Sequence, residues 1–430
     1  MPGLPNEVLL LIGEFLYSEH DKLSLLYVCR HWKNLFLGLA YREIMVEGDR
    51  APQFVRAIQL SPAIGYAVQK LYLHEWESSS QGVKDVIPRE AWHKALGKGS
   101  EDAWWALVLT LLENLTSLAI DLPEAGLPPF FLKTMARAGS KHHPSPGLQR
   151  LQSMVLEFGY DEGCISSHNI VLLLNLPQLR YLSAVRVVDA EGSEPATQEW
   201  GHRAHRGTSP VTSLSFTDSG NAKYGMSNII TSCANLEHFE YQHILQVVWG
   251  GASIGFRPTT FYRPLWTQRH SLKTVHLNYR GEGGNRELDE EDDDDEDADG
   301  WFGSLQEFRS LSGLWMRASN LLDLTPDGRG LRSSLVLSLP GSLQSIYISD
   351  CGEIHLSHLT AAILELLAHK TEKFPLLRRI GISPSYLLLK KTKRFQQIGQ
   401  DTKFKPIVYE KFELMQKGCQ NAGVELCLEP

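Results

Sequence analysis

One pattern, Leu-x-x-Leu-x-Leu with other apolar residues allowed at each Leu, recurs along most of this chain. It appears at Val68-x-x-Leu71-x-Leu73, Leu115-x-x-Leu118-x-Ile120, Leu151-x-x-Met154-x-Leu156, Leu179-x-x-Leu182-x-Ala184 and Val211-x-x-Leu214-x-Phe216. It continues at Leu236-x-x-Phe239-x-Tyr241, Leu272-x-x-Val275-x-Leu277, Leu343-x-x-Ile346-x-Ile348 and Leu377-x-x-Ile380-x-Ile382. One further copy can be placed at Leu305-x-x-Phe308 or at Leu311-x-x-Leu314, and Gly423 to Leu428 reads as a last strand. With Phe308 for that copy, the central residues lie 25 to 47 residues apart, most of them near 35. The alternation predicts a short strand with one buried face. Helix-like stretches such as WWALVLTLLENL, HNIVLLLNLPQL, MSNIITSCANL and LTAAILELLAHKTEKFPLL precede several copies. Strands joined by helical crossovers run parallel. A helix–strand unit cannot bury its apolar face alone, so such units stack.

This arrangement is similar to an irregular leucine-rich repeat. The period exceeds the common length of about 20–29 residues. The Asn or Cys that usually follows the pattern is matched only by Cys351. An ordinary α/β domain with coincidental Leu spacing is the alternative. Residues between the apolar ones point away from the core. Tyr72, His74, Ser117, Asp121, Glu240, Gln242, His276, Asn278, Tyr347 and Ser349 are therefore candidates for an exposed face. Tyr72, Glu240, Gln242, His276, Asn278 and Tyr347 are the expected substrate contacts, because mixed Tyr, His and acid suits a protein surface. Insertions fall near residues 75–103, 137–147, 189–209 and 280–303.

Ahead of the repeats lies MPGLPNEVLLLIGEFL. No Lys or Arg precedes its apolar run, so it does not fit a secretory leader. Pro5 suits a first helical position and Glu7 a first turn. Val8, Leu11, Ile12, Phe15 and Leu16 form one helical stripe. In LSLLYVCRHWKNLF, Leu25, Val28, Cys29 and Trp32 repeat that spacing, and Leu35 and Phe36 carry it on. Such stripes pack on a core or dock a partner, and spacing alone leaves both open.

Leu4-Pro5, Glu7-Val8, Ile12, Leu16, Asp21, Leu23, Leu25, Val28-Cys29-Arg30 and Trp32, ending at Tyr41-Arg42-Glu43-Ile44, resemble the F-box. Lys22 departs from that motif, as does the absence of a proline in the inter-helix turn. The resemblance, to fungal-type F-box substrate receptors, implies binding of a Skp-type adaptor of a cullin–RING ubiquitin ligase. The implied adaptor face is Leu4, Pro5, Val8, Ile12, Leu16, Leu25, Val28 and Trp32. The expected fold is α/β: a short N-terminal helical F-box over residues 1–46, then an irregular leucine-rich-repeat-like solenoid over 60–430 with parallel strands on its concave face.

The net charge of −8 hides an asymmetry. Residues 287–299, ELDEEDDDDEDAD, hold eleven acids, and without them 39 acids face 42 bases. Such a block repels itself and reads as a disordered insertion. Without a basic excess, nucleic-acid binding is not expected. Lys390-Lys391-Thr392-Lys393-Arg394 with Lys403 and Lys405 forms a local basic segment that the acidic block could contact. The six cysteines form no Cys-x-x-Cys pair, which favours a reducing compartment, cytoplasmic or nuclear. No apolar run is long enough for a membrane span.

Gly251-Ala252-Ser253-Ile254-Gly255 has the G-x-S-x-G form, which needs a strand before it and a helix directly after it. Pro258 and Pro264 argue against that helix. The pair His142-His143 lacks the further convergent ligands of a metal site. No metal, no cofactor and no catalytic residue is expected. The resemblance to the F-box, with repeats behind it, implies a substrate-recognition subunit of an SCF-type ligase. The alternative is an F-box and repeat scaffold without ubiquitin transfer.

Overall fold

The structure is a computed structural model that describes residues 4–74, 89–124, 126–140, 147–159, 163–188, 206–220, 226–244, 256–280, 300–325, 330–351, 353–383 and 406–428. The chain divides into two compact units. One comprises Met1–Val185, Gly192–Val211 and Ser232–Ala234; the other comprises Arg186–Glu191, Thr212–Thr231 and Asn235–Pro430.

In the first unit, strands β1 (Glu43–Glu47), β2 (Lys70–His74), β3 (Ser117–Leu122), β4 (Ser153–Phe158) and β5 (Tyr181–Val185) pair in parallel, each with the next. The second unit repeats this with β6 (Ser213–Ser219), β7 (His238–Ile244), β8 (Thr274–Arg280), β9 (Gly313–Arg317), β10 (Ser345–Ser349), β11 (Arg379–Ile382) and β12 (Glu425–Leu428). This is the helix–strand alternation that the recurring pattern predicts.

One hydrogen-bond step joins consecutive repeats. The residue before a strand offers its carbonyl to two successive amides at the start of the next strand. Arg42 O accepts from Gln69 N and Lys70 N, Gln69 O from Thr116 N and Ser117 N, and Thr116 O from Gln152 N and Ser153 N. Gln152 O then accepts from Arg180 N and Tyr181 N. In the second unit the acceptors are Thr212, Glu237, Lys273, Ser312 and Gln344, and Arg378 O takes Glu425 N. The step resolves the ambiguous copy. Lys273 O binds Ser312 N and Gly313 N, so the strand is the one built on Leu311-x-x-Leu314-x-Met316. Leu305 and Phe308 are buried outside it. All three apolar positions of this copy and of the nine unambiguous ones are buried.

Strand β1 precedes the first copy in the sequence. Its equivalent positions are Tyr41, Ile44 and Val46, and Tyr41 is not a leucine-like marker. The helix-like stretches become α7 (Glu101–Leu111), α9 (Ser167–Leu173), α10 (Ser227–Ser232) and a long helix, Glu353–Ala368.

Two expectations need correction. The stretch 75–103 is not simply an insertion loop, because α6 (Arg89–Gly97) and the start of α7 lie in it. Pro258 and Pro264 do not prevent a helix. α11 (Thr259–Trp266) starts just after Pro258 and contains Pro264. Pro264 costs that helix a backbone hydrogen bond, and the burial of Phe261, Pro264 and Leu265 on one face compensates. The stretch LSLLYVCRHWKNLF spans two helices. α2 (Glu19–Leu25) ends there and α3 (Arg30–Ala40) begins. Cys29 caps α3 in an extended conformation, its Sγ accepting from Trp32 N at 3.4 Å. The apolar spacing runs unbroken across this joint. Residues 251–255, His142-His143, the acidic run 287–299 and the basic segment with Lys403 and Lys405 lie outside the described residues.

Helix α8 (Pro129–Ala138) shows how neighbouring repeats are fastened. Pro128 and Pro129 carry no N–H, so the first free donors are Phe130 N and Phe131 N. Both bind the Asp102 carboxylate of α7 at 2.9 Å. Asp102 is buried, and burial pushes its carboxyl up to about 6, against the two backbone hydrogen bonds that pull it down. The folded state therefore holds this proton more tightly than the unfolded chain. The stabilising contribution is full below about pH 4 and is lost as pH rises through about 6, with a span of roughly 3 kcal/mol. Asp102→Asn should flatten this slope. Denaturant midpoints measured from pH 4 to 7 for both proteins check it, and a wild-type-minus-variant difference that does not change with pH refutes it.

Candidate functional site

The residues just after Pro5 form α1 (Asn6–Glu14), with Glu7 in its first turn. They do not form a core face. The only buried residue of α1 is Gly13. A Cβ at Gly13 would lie 2.6 Å from Leu39 Cδ2 and 2.8 Å from Phe36 Cε1, so the helix rests on α3 through the one residue without a side chain. The stripe itself faces outward: Val8, Leu11, Ile12 and Phe15 are 38%, 55%, 50% and 73% exposed. Leu4, Tyr17, Leu23, Tyr27 and Val28 extend the exposed apolar set.

Of the expected adaptor contacts, Leu4, Pro5, Val8, Ile12 and Val28 are exposed, and Leu16, Leu25 and Trp32 are half-buried. The Trp32 ring meets Phe36 edge-on at 5.3 Å. Leu11, Phe15 and Tyr27 are exposed beside them and are absent from the expected contacts. Leu11 and Phe15 are visible in the stripe. Tyr27 lies in the turn that the continuous spacing conceals.

Two polar contacts tie α1 to α3 and to the residue just ahead of β1. His31 Nε2 pairs with Asn6 Oδ1 at 3.0 Å, and Glu14 meets Arg42 at 3.6 Å. α3 packs on α1, on α2 and on α5 (Pro62–Ala67), which comes after α4 (Ala51–Leu60). Trp105 of α7 donates from Nε1 to Gly48 O at 3.0 Å. The N-terminal helices are thus continuous with the first strands of their own unit.

The strand faces form the second candidate surface. In the first unit, Met45, Tyr72, Ala119, Val155 and Ser183 share one register row. His74 Nδ1 pairs with Asp121 Oδ2 in the next row. In the second unit, Ser215, Glu240, His276, Trp315, Tyr347 and Gly381 share a row. Glu240 accepts from Ser215 Oγ at 2.8 Å and pairs with His276 Nδ1 at 3.1 Å. The His276 hydrogen bond holds the Glu240 carboxyl below its ordinary range, against burial, and Ser215 adds to it. The His276 and Trp315 rings stack at 4.6 Å, and Trp315 and Tyr347 at 5.0 Å.

Three of the expected substrate contacts, Glu240, His276 and Tyr347, therefore meet in one row. Gln242 and Asn278 face each other one pleat further on, where Ser349 Oγ approaches Asn278 Oδ1 at 3.4 Å. Tyr72 lies on the face of the other unit. Trp315 is the residue that sequence reasoning missed. Choosing Leu311-x-x-Leu314 for the ambiguous copy would have put it in the outward position. Among the described residues no His, Cys, Asp or Glu group of three or more could hold a metal, and no helix is long and apolar enough to cross a membrane.

The close approach at Gly13 makes a testable demand. Gly13→Val should push α1 off Phe36 and Leu39, at a cost of about 1–3 kcal/mol. Hydrogen exchange should accelerate over residues 6–14 while the strand amides stay protected; unchanged exchange in α1 would refute the contact.

Comparison with known families agrees with this geometry. A leucine-rich repeat domain model matches residues 134–407, and an F-box-like model matches residues 1–44. None of the curated proteins compared with the chain matches it. At the family level, this pair of domains supports a substrate-recognition role in an SCF-type ligase and is typical of non-enzymatic receptor proteins. The chain belongs to the leucine-rich repeat family and carries an F-box-like domain at its N-terminus.

Proposed function

We propose that this chain is the substrate-recognition subunit of an SCF-type cullin–RING ubiquitin ligase. Residues 1–46 dock a Skp-type adaptor, and the repeat region, residues 60–430, holds a protein substrate. The observation that carries this reading is the outward-facing stripe Val8, Leu11, Ile12 and Phe15. A helix that buries only a glycine leaves its apolar face for a partner. Contiguous exposed apolar surface of this kind marks interaction sites. The adaptor contacts are Leu4, Pro5, Val8, Ile12, Leu16, Leu25, Val28 and Trp32, with Leu11 and Phe15 beside them. The half-buried Trp32, packed edge-on against Phe36, is the rigid aromatic anchor expected near the centre of an interface. Ubiquitin transfer needs no catalytic group in this chain. A bound substrate gains rate by being held near a conjugating enzyme.

The test uses exposed residues, because truncating Trp32 also disturbs α3. Deleting residues 1–44 is equally unsuitable, since it removes Glu43 and Ile44 of β1. In co-expression with a Skp-type adaptor, Val8→Asp with Ile12→Asp should weaken the complex by at least about 30-fold, the scale of a lost hot spot. The melting temperature of the isolated chain should stay unchanged. An adaptor complex that survives both substitutions refutes the docking face. Co-purification of a cullin, with a substrate accumulating in cells that carry the double variant, separates ubiquitin transfer from a scaffold role.

A further inference from the structure

The aromatic row of the second unit has a composition and a geometry that restrict what can bind it. The ring spacings, 4.6 Å and 5.0 Å, match the separation of neighbouring strands, about 4.8 Å. Rings stacked at the strand spacing stand upright on the sheet. Trp315 is covered on both faces, by His276 and by Tyr347, and the Tyr347 ring lies between Trp315 and Gly381. A Cβ at Gly381 would collide with Tyr347 Cδ1 and Cε1, so only glycine leaves room for that ring. The ring nitrogens Trp315 Nε1 and His276 Nε2 are shielded from solvent and have no hydrogen-bond partner among the described residues. What remains open to a partner is a line of C–H edges on half-buried rings.

The charges around the row are paired within the chain. Glu240 is taken by His276 and Ser215. Arg379 is taken by Glu425 at 2.9 Å and by the Tyr347 hydroxyl at 3.3 Å. Arg317, itself buried, pairs with Asp350 at 2.8 Å. A charged side chain laid on the rings would lose water and meet no unpaired counter-charge among the described residues. With both of its faces covered, Trp315 offers no cation–π platform. Aromatic edges carry partial positive charge and pair best with the face of another ring.

We propose that this row, centred on Trp315, is a substrate-anchoring site that takes an uncharged segment by one of its aromatic side chains, laid face-down on the edges of Trp315 and Tyr347. This rests on the reading of the strand face as the substrate surface and names the chemistry of the substrate. Glu240 and Gly381 act as positioning residues: the first fixes the His276 ring, and the second admits the Tyr347 ring.

The test uses the full chain bound to its adaptor and fluorescent twelve-residue peptide pools. Each pool has a Gly/Ser/Thr/Ala background and a fixed centre: Phe-x-Phe, Leu-x-Leu, Lys-x-Lys or Asp-x-Asp. Fluorescence polarisation should rank the Phe pool ahead of every other by about fivefold or more, as expected for edge-to-face pairing beyond area burial. Trp315→Ala should abolish that preference, Trp315→Phe should retain it, and Gly381→Ala should weaken it by displacing Tyr347. Equal binding of the Phe and Leu pools, preference for a charged pool, no binding by any pool, or an unchanged preference in Trp315→Ala overturns the proposal. Adaptor binding, read in the same preparations, reports separately on the ligase reading. A bound adaptor with no peptide preference sinks the anchor and leaves that reading standing.

Discussion

The carbonyl that accepts two successive amides from the next repeat is the interaction on which everything else depends. It recurs at Arg42, Gln69, Thr116 and Gln152 in one unit and at Thr212, Glu237, Lys273, Ser312 and Gln344 in the other. It is made by backbone, so it places no demand on side chains. Each strand enters at the same offset from the last, whatever the length of the connection. That is why connections of unequal length can coexist within a unit, with central-residue spacings from 28 to 47 residues in the first and from 25 to 39 in the second. A one-residue slip at any step would turn the apolar positions outward, since side chains alternate with period two. The buried Leu, Ile and Val side chains at three positions per repeat resist that slip. Register and core thus enforce each other.

Fixed register also creates the surface chemistry. His276, Trp315 and Tyr347 lie far apart in sequence, yet pair directly across β8, β9 and β10. Their stacking results from the ladder and the strand spacing, before any partner is present. A preformed row costs a partner little ordering entropy on binding. The same economy operates at the N-terminus. α1 comes closest to α3 at Gly13, and Val8, Leu11, Ile12 and Phe15 of the stripe stay exposed.

The sequence made most of this legible where one physical demand dominates a position. Leu115, Leu118 and Ile120 must be buried in a strand, and their spacing says so. The same holds for Leu343, Ile346 and Ile348. Legibility failed where two demands overlapped. Leu305 and Phe308 are buried like a strand pair but sit in a turn-rich approach to β9, so apolar spacing alone could not choose between them and Leu311 with Leu314. With the copy unplaced, Trp315 went unnoticed. β1 was hidden because its residues also complete the F-box motif, and Tyr41 stands where the other copies carry an aliphatic residue. The break at Cys29 was hidden because its flanks keep helical spacing while the backbone extends to φ −163°. α11 was discounted because the cost of Pro264 is visible in sequence, whereas the packing of Phe261 and Leu265 is not.

The overlap at β1 carries a mechanical consequence. α3 ends at Ala40, the Arg42 carbonyl already makes the first repeat step, and β1 starts at Glu43. Two residues therefore separate α3 from the strand stack of its unit, too few for a flexible linker. The Glu14–Arg42 contact bridges α1 to this same joint. A partner bound to α1 and α3 is consequently held at a set orientation to β1 and β2. Orientation of this kind is what a reaction driven by proximity requires, because a tether that lets the target wander dilutes it. The joint between motif and repeat, where the sequence was hardest to partition, is thus where the architecture has least freedom.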